Sequence, residues 1–419
     1  MVDCLSYREH ELFMEDVGVA DVTKEIQTPF YLYSRSQIIK NFSKFSKAVS
    51  KLENLICYSI KANGNLSVIK VISELGGGAD VVSLGEYKRA VKAGIDSKKI
   101  VFSGVGKQDF EITETLKNGL LQFNVESLSE LETIDRIASK IGKVAPISFR
   151  VNPDIDAGTH EGISTGKADN KFGIPLKEAP KVYKYAHSLD NVKVIGIDVH
   201  IGSQISNLKS FEETFAHLAG LLEKLKRENI PIKNIDVGGG LGIKYSDMDR
   251  VPDIKEYGEI IERTLGGFGC KIIFEPGRYI VGNAGILVTK VVFKKKGEKK
   301  EFLILDCAMN DFSRPALYNV SHRIIPLKRR KKHNTILVDI VGPVCETTDT
   351  FLRDHKIDFI DEEDFCAFKD VGAYGAALSS EYNSRPLIPE VMVYNKQFHI
   401  VRKRPSFEDM INKEFMPDW

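Results

Sequence analysis

Leu55-Ile56-Cys57-Tyr58-Ser59-Ile60-Lys61 is an apolar, β-like run that stops on a lysine, and Leu66–Leu75 after it has the apolar spacing of a helix. The same beat recurs along the chain. Short apolar runs fall at Gly78–Ser83, Ile100–Gly104, Leu121–Glu126, Pro146–Pro153, Val192–His200, Asn234–Gly240 and Lys271–Gly277. Helix-length amphipathic segments such as Leu84–Ala93 and Phe211–Glu228 lie between them. Glu86, Glu130 and Glu212 stand near the starts of their helices, where negative charge suits the dipole. Strands that alternate with helices pair in parallel through right-handed crossovers. Eight such units, over about 220 residues, predict an α/β fold of the (β/α)8 barrel type rather than an open doubly wound sheet. The stretch Asp154–Gly173, rich in Gly, Asp and Thr, reads as a long loop at the barrel mouth.

After about Ile280 the beat changes. Ile286–Phe293, Phe302–Asp306, Thr335–Val341, Asp364–Lys369 and Val391–Val401 read as strands with little helix between them, which predicts a second, β-rich domain of sandwich or barrel type. Thr28–Ser34 reads as a strand able to join it. The expected division is a barrel over 36–279 and a β-rich domain built from 1–35 and 280–419.

A chain of 419 residues, 42% hydrophobic and 28% charged, suits two soluble globular domains. Lys and Arg total 59 against 58 Asp and Glu, so no global field gathers nucleic acid or an acidic membrane. Asp3, Arg8, Glu9 and Glu11 interrupt the start, leaving no signal-peptide core, and no apolar run reaches membrane-spanning length. Cysteines 4, 57, 270, 307, 345 and 366 are scattered without a CxxC pair, as expected of a reducing cytoplasm. The nine histidines show no ligand spacing with acids or cysteines, so no metal is expected. The basic run Lys294–Lys300 carries Gly297 between two apolar stretches and reads as a hairpin tip; Lys328–Lys332 has no interleaved aromatics and reads as a solvated loop or strand edge.

In such barrels chemistry sits on the loops after the strands. The first strand ends on Lys61, either a snorkelling surface lysine or a desolvated amine able to condense with a carbonyl. The seventh ends in Val237-Gly238-Gly239-Gly240-Leu241-Gly242, where adjacent glycines let an anion approach the backbone. The eighth ends in Glu275-Pro276-Gly277-Arg278: a carboxylate that could protonate a pyridine nitrogen, and a guanidinium that could fork onto phosphate or carboxylate. The sixth ends in His200-Ile201-Gly202-Ser203, a flat ring and a hydroxyl on the same rim. The three glycines favour phosphate over a plain tight turn, whereas a lone lysine or histidine is more often structural, and any one of these signals is poor evidence by itself. Together on one rim they make a coherent pyridoxal-phosphate site.

These stretches carry a resemblance. YSIKAN (58–63), ADVVSLGE (79–86), HIGSQ (200–204), GGGLGI (238–243), EPGR (275–278), MNDFSRPALY (309–318), GPVCE (342–346) and GAYGAALSSEYNSRP (372–386) resemble, over nearly the full chain, the fold-type III pyridoxal-phosphate-dependent decarboxylases. The resemblance implies that Lys61 holds pyridoxal 5'-phosphate, that His200 stacks on its ring and that Glu275 faces its nitrogen. It places Ser203, Gly239, Gly240, Gly277, Arg278 and Tyr374 around the phosphate, and Asp80 beside Lys61 or His200. Cys345 becomes the proton donor, reaching the site from the neighbouring subunit of a homodimer, so that the active site is shared across the interface. RPALY and CE are signatures of the members that act on diaminopimelate, which implies decarboxylation of meso-2,6-diaminopimelate to L-lysine and carbon dioxide. Arg278, Arg314, Tyr318, Glu346 and Tyr374 would then bind the substrate. A second carboxylate on the substrate makes arginine clamps sensible, whereas a diamine-forming site calls for acids. The alternatives are a decarboxylase of ornithine, arginine or carboxynorspermidine, or a non-catalytic regulatory relative. The chain departs from the family pattern at Asn170-Lys171-Phe172-Gly173, where SKFG is common, and at Cys345-Glu346-Thr347-Thr348-Asp349, where CESGD is common.

Overall fold

The structure is a computed structural model describing residues 4–158, 165–167, 169–246, 248–330 and 335–419. Residues 159–164 and 168 of the expected mouth loop, and Lys331 and Lys332 of the second basic run, lie outside those described. The chain divides into two compact units, Ile39–Lys244 with Arg250–Ile280, and Met1–Ile38 with Tyr245–Asp249 and Val281–Trp419.

The first unit is a closed parallel barrel. Its strands are β1 (Asn54–Ser59), β2 (Gly78–Val81), β3 (Ile100–Phe102), β4 (Gln122–Val125), β5 (Ala145–Asn152), β6 (Val192–Asp198), β7 (Asn234–Asp236) and β8 (Lys271–Phe274). Each pairs in parallel with the next, and β8 pairs back onto β1. Every strand stops before the predicted run does, and the leftover residues form the rim turns. Lys61, for example, falls in the 3-10 turn Ile60–Ala62 just beyond β1. The apolar pattern continues through these turns because their backbone is buried too, which is why hydrophobicity alone overruns the pairing.

The helix Ile254–Leu265 opens on Asp253, whose side chain accepts from the Lys255 N–H. Its Tyr257, with Phe274 and Tyr279, surrounds Phe45 edge-on at centroid distances of 6.5, 5.4 and 5.5 Å. Close approach needs Gly258, where an added Cβ would lie 2.3 Å from the Ala48 carbonyl oxygen.

The second unit is a β-sheet assembly of β9 (Gly285–Lys296), β10 (Glu301–Leu305), β11 (Ile324–Pro326), β12 (Thr335–Val341), β13 (Thr350–Asp358), β14 (Phe365–Phe368), β15 (Glu390–Tyr394) and β16 (Gln397–Arg402). The N-terminal strand Phe30–Ser34 lies between β9, antiparallel, and β15, parallel, so both chain ends build this sheet. Phe30, Leu32, Ile286, Val288, Val391 and Val393 supply much of its core. The β9–β10 hairpin closes with the Gly297 N–H on the Lys300 carbonyl at 2.8 Å, the charged tip expected there. One expectation needs correction, and one strand goes unread. Val391–Val401 is a hairpin and not one strand: the chain turns at Asn395, φ +56°, a backbone region asparagine tolerates. Strand β13 escapes the sequence reading because Arg353, Asp354, His355 and Lys356 hide its alternation. Among the described residues no helix is long and apolar enough to cross a membrane.

Gly258 pits two effects against each other. Alanine raises helix propensity by ~1 kcal/mol, but the carbonyl contact forces backbone apart, an overpacking cost of ~1–3 kcal/mol. Packing should win, so Gly258→Ala is expected to lower the Tm by a few degrees (~2–4 °C per kcal/mol); a raised Tm in calorimetry would refute the close-approach argument.

Candidate active site

Register brings the first pair together. Ser59 at the end of β1 lies opposite Asp80 in β2, and Lys61 follows two residues later. The Lys61 Nζ is 2.9 Å from Asp80 Oδ2, with the lysine side chain 35% exposed and the aspartate fully buried. Ser59 Oγ donates to the same oxygen at 2.8 Å. Among the described residues Asp80 Oδ1 is buried with no hydrogen-bond partner, a group whose charge asks for more compensation than Lys61 alone supplies.

Beneath lies a layer of carboxylates. Asp198 at the end of β6, Asp236 at the end of β7 and Glu275 just after β8 point inward at one level, with carboxylate oxygens within 4.8 Å of one another. Asn124 of β4 organises them: its Nδ2 lies 3.3 Å from Asp236 Oδ2 and 3.3 Å from Glu275 Oε1. Ser103 Oγ donates to Glu275 Oε1 at 3.3 Å. Asn124 is held in turn by Gln122 Nε2 at 2.8 Å, and Gln122 by Asn234 Nδ2 at 2.9 Å. Burial raises the Glu275 carboxyl well above the usual range, and Asp236, Asp80 and Asp198 push it further while Lys61 opposes. Burial likewise brings Asp236 up to about 7, against the pull of the Gly238 N–H. Asp198 is raised well above the usual range, mainly by burial and then by Asp236. The layer therefore favours holding protons unless a cation faces it. The N–H of a pyridinium ring set against Glu275 is such a cation, and on this ground the residues fit pyridoxal 5'-phosphate.

The adjoining rim is flat and neutral. His200 Nδ1 accepts from the Gly239 N–H at 3.2 Å, which puts the ring proton on Nε2. Burial, then Arg150 and Lys61, holds this imidazole well below its ordinary pKa. Arg150 pairs with Glu126 at 3.0 Å, donates to the His200 carbonyl at 3.1 Å and lies 4.7 Å over the Phe172 ring. Glu126 also accepts from the Gly173 N–H at 2.8 Å, tying the end of the 154–173 loop to the rim. The glycines are forced by packing. A Cβ on Gly239 would lie 2.2 Å from the Glu275 carbonyl oxygen, and one on Gly240 2.4 Å from that of Gly202. A Cβ on Gly277 would lie 2.9 Å from the Ala62 Cβ and 3.0 Å from that of Ser59. Arg278, buried, donates to Ser203 Oγ at 3.0 Å. A guanidinium and a hydroxyl beside glycine backbone are donors suited to a phosphate.

The remaining predicted residues belong to the β-sheet unit. Arg314 is buried on the short helix Arg314–Tyr318, its guanidinium 5.8 Å from the Tyr318 ring centroid. Tyr374 holds a φ of +58°, costly for a tyrosine, in a turn where a Cβ on Gly375 would meet the Val371 carbonyl at 2.5 Å. Cys345 and Glu346 are exposed in the loop after β12. Asp349 fastens that loop, accepting from the N–H groups of Met309 and Val344 at 2.7 Å each. Glu346 accepts from the Thr348 hydroxyl and, at 2.9 Å, from Tyr382, and these bonds hold its carboxyl below the usual range.

Asp236, Asn124, Ser103, Arg150, Asp349 and Tyr382 escape the sequence reading. A signal for two of them exists: Gln122/Asn124 and Asn234/Asp236 are polar pairs two residues apart, hence on one face, inside otherwise apolar strands.

Asp236 makes a pH prediction. Its folded pKa of about 7 exceeds the unfolded ~4, so the native state holds a proton the unfolded chain releases. This group's contribution to stability is full at low pH and is lost as pH rises through about 7. Asp236→Asn removes that loss, so in cofactor-stripped protein its Tm relative to the parent should climb between about pH 5 and about pH 8. A difference independent of pH would show Asp236 ionised throughout.

Comparison with known proteins gives the family. Residues 35–282 match the family model "Pyridoxal-dependent decarboxylase, pyridoxal binding domain". The chain is 44% identical to the diaminopimelate decarboxylase of Aquifex aeolicus, covering 97% of this chain and 96% of the relative. It is 45% identical to that of Vibrio cholerae, with 98% of both covered. The crystal structure of the Helicobacter pylori enzyme complexed with L-lysine superposes with a TM-score of 0.91 at 41% identity, covering 94% of this chain and 99% of that one. With layered carboxylates under a lysine rim, and relatives alike over almost their whole length, this chain belongs to the pyridoxal-dependent decarboxylase family.

Proposed function

We infer that this chain decarboxylates meso-2,6-diaminopimelate to L-lysine and carbon dioxide, the last step of lysine biosynthesis, with pyridoxal 5'-phosphate as cofactor. The observation that carries the reading is the Lys61–Asp80 pair in the same barrel as the buried Asp198, Asp236 and Glu275 cluster. The substrate assignment is supported by relatives of 41–45% identity bearing the diaminopimelate decarboxylase name, and by solved relatives crystallised with L-lysine.

Bound at Lys61, pyridoxal 5'-phosphate supplies an electron sink for the pair left behind when the α-carboxylate departs. The protein's own groups do the rest. Lys61 would hold the cofactor through Nζ, and Asp80, 2.9 Å away, would keep that nitrogen in place. Glu275, oriented by Asn124 and Ser103, holds a proton on the ring nitrogen by staying ionised opposite it. His200, neutral, would offer a flat face to the ring without adding charge. Ser203, the backbone at Gly239, Gly240 and Gly277-Arg278, and Tyr374 would bind the phosphate. As the bond to the carboxylate breaks, the Cys345 thiol gives its proton to the α-carbon and regains one from solvent. We place Cys345 in the site of the partner subunit of a homodimer, consistent with its exposure in the single chain.

Arg278, Arg314, Tyr318 and Tyr374 bind the far end of the substrate, with Glu346, ionised, meeting its ammonium. A substrate without the distal carboxylate would forgo the charge-assisted hydrogen bonds that arginine offers to a carboxylate, which discriminates strongly. The free cysteines suit a cytoplasmic setting.

Purified protein with pyridoxal 5'-phosphate should release carbon dioxide from meso-diaminopimelate and not from ornithine or arginine, and Lys61→Ala should abolish it. Arg314→Ala should cut kcat/KM by about 100-fold or more, the loss expected of a charged hydrogen-bond partner. Release from ornithine or arginine alone would overturn the substrate reading and leave the cofactor reading standing.

A further inference from the structure

Arg314 is held by a histidine that the proposed chemistry leaves without a task. His322 is 2% exposed and sits just before β11. The β11–β14 ladder sets its neighbourhood: Ile324 pairs with Phe368, and the Lys369 N–H donates to the Arg323 carbonyl at 2.8 Å. His322 Nδ1 lies 3.0 Å from the Lys369 carbonyl oxygen, and Arg314 Nε lies 3.4 Å from His322 Nε2. A carbonyl only accepts and a guanidinium only donates, so both contacts are satisfied by one form alone: the neutral ring with its proton on Nδ1 and its lone pair on Nε2. Two rings fix the plane of the imidazole, Tyr245 at 4.8 Å and 67° and Phe312 at 4.8 Å and 82°. Tyr245 also lies 5.5 Å from the Arg314 guanidinium carbon.

We propose that His322 is the positioning residue for Arg314, its Nε2 lone pair anchoring the arginine at Nε so that the terminal nitrogens present a fixed end-on fork to the distal carboxylate of the amino-acid ligand. The proposal rests on the substrate reading above. A guanidinium is planar, so fixing Nε and the plane fixes the direction of both terminal nitrogens. The backbone carbonyl at Lys369 sets the tautomer, as an outer partner does for a metal-bound histidine. An arginine without this anchor would keep its charge but lose its aim. The effect belongs to binding of the distal carboxylate, remote from the bond that breaks, and so to KM and product affinity rather than to kcat.

The test uses two variants of the holoenzyme. His322→Asn keeps an amide near the Lys369 carbonyl but falls short of Arg314; His322→Gln extends an acceptor to the Nε2 position. Binding of L-lysine, whose carboxylate is the substrate's distal one, is read from the change in cofactor absorbance and needs no turnover. His322→Asn should weaken L-lysine about tenfold or more, the scale of one hydrogen bond to a charged group, and raise KM for meso-diaminopimelate alike. His322→Gln should recover most of that loss, while Tm and pyridoxal 5'-phosphate affinity stay close together in the pair. Unchanged L-lysine affinity in His322→Asn, or equal loss in both variants, would overturn the proposal. Arg314→Ala serves as the reference: if it also leaves L-lysine affinity intact, the substrate role of Arg314 has failed and not the anchor alone.

Discussion

An excess of buried carboxyl groups governs the barrel end of this protein. Asp80, Asp198, Asp236 and Glu275 lie within one closed sheet, three of them within 4.8 Å of one another. Lys61 pairs with one of the four, and Arg150 is already engaged with Glu126. Such a layer stays folded only by retaining protons or by meeting another cation, since isolated buried carboxylates are strongly disfavoured. A pyridinium opposite Glu275 would convert that cost into function: it is the cation that lets Glu275 ionise, and the ionised carboxylate in turn favours the ring's proton. The hydrogen bonds from Asn124 and Ser103 matter because they fix which oxygen of Glu275 is offered.

The same end of the barrel shows why the fold supports the chemistry. Parallel strands finish at one rim, and the glycines after β7 and β8 allow backbone to approach where any side chain would collide, as at Gly239 against the Glu275 carbonyl. His200 is positioned by that same glycine N–H. Stability and site geometry are therefore not separable there. In the β-sheet unit the arrangement follows another logic: Arg314 is buried among Tyr245, Tyr318 and His322, and Asp349 draws the Cys345 loop into shape through two backbone N–H groups.

Much of this is legible in the sequence, and the reasons for the rest are physical. The alternating beat reveals the barrel because each strand is buried on both faces and each helix on one. Strand ends such as Lys61 and Glu275 stand out because charge there interrupts apolar runs. Asn124 and Asp236 are harder, because a polar residue inside a barrel looks like a weak strand until closure places it on the inner face. His322 leaves no local pattern at all; its partners are brought to it by the β11–β14 ladder and a distant tyrosine, Tyr245. The turn at Asn395 hides within an apolar run for the opposite reason, being only two residues long.

The most direct measurement is the rate of carbon dioxide release from meso-diaminopimelate by Glu275→Gln, with cofactor content followed by absorbance. Glutamine keeps the shape and removes the charge that holds the ring protonated. The account predicts that the variant still loads pyridoxal 5'-phosphate on Lys61 while release falls by ~10²-fold or more, the scale of removing one preorganised electrostatic partner. Near-parental release from a fully loaded variant would contradict it, and would mean that the carboxylate layer is structural and the electron sink is set elsewhere.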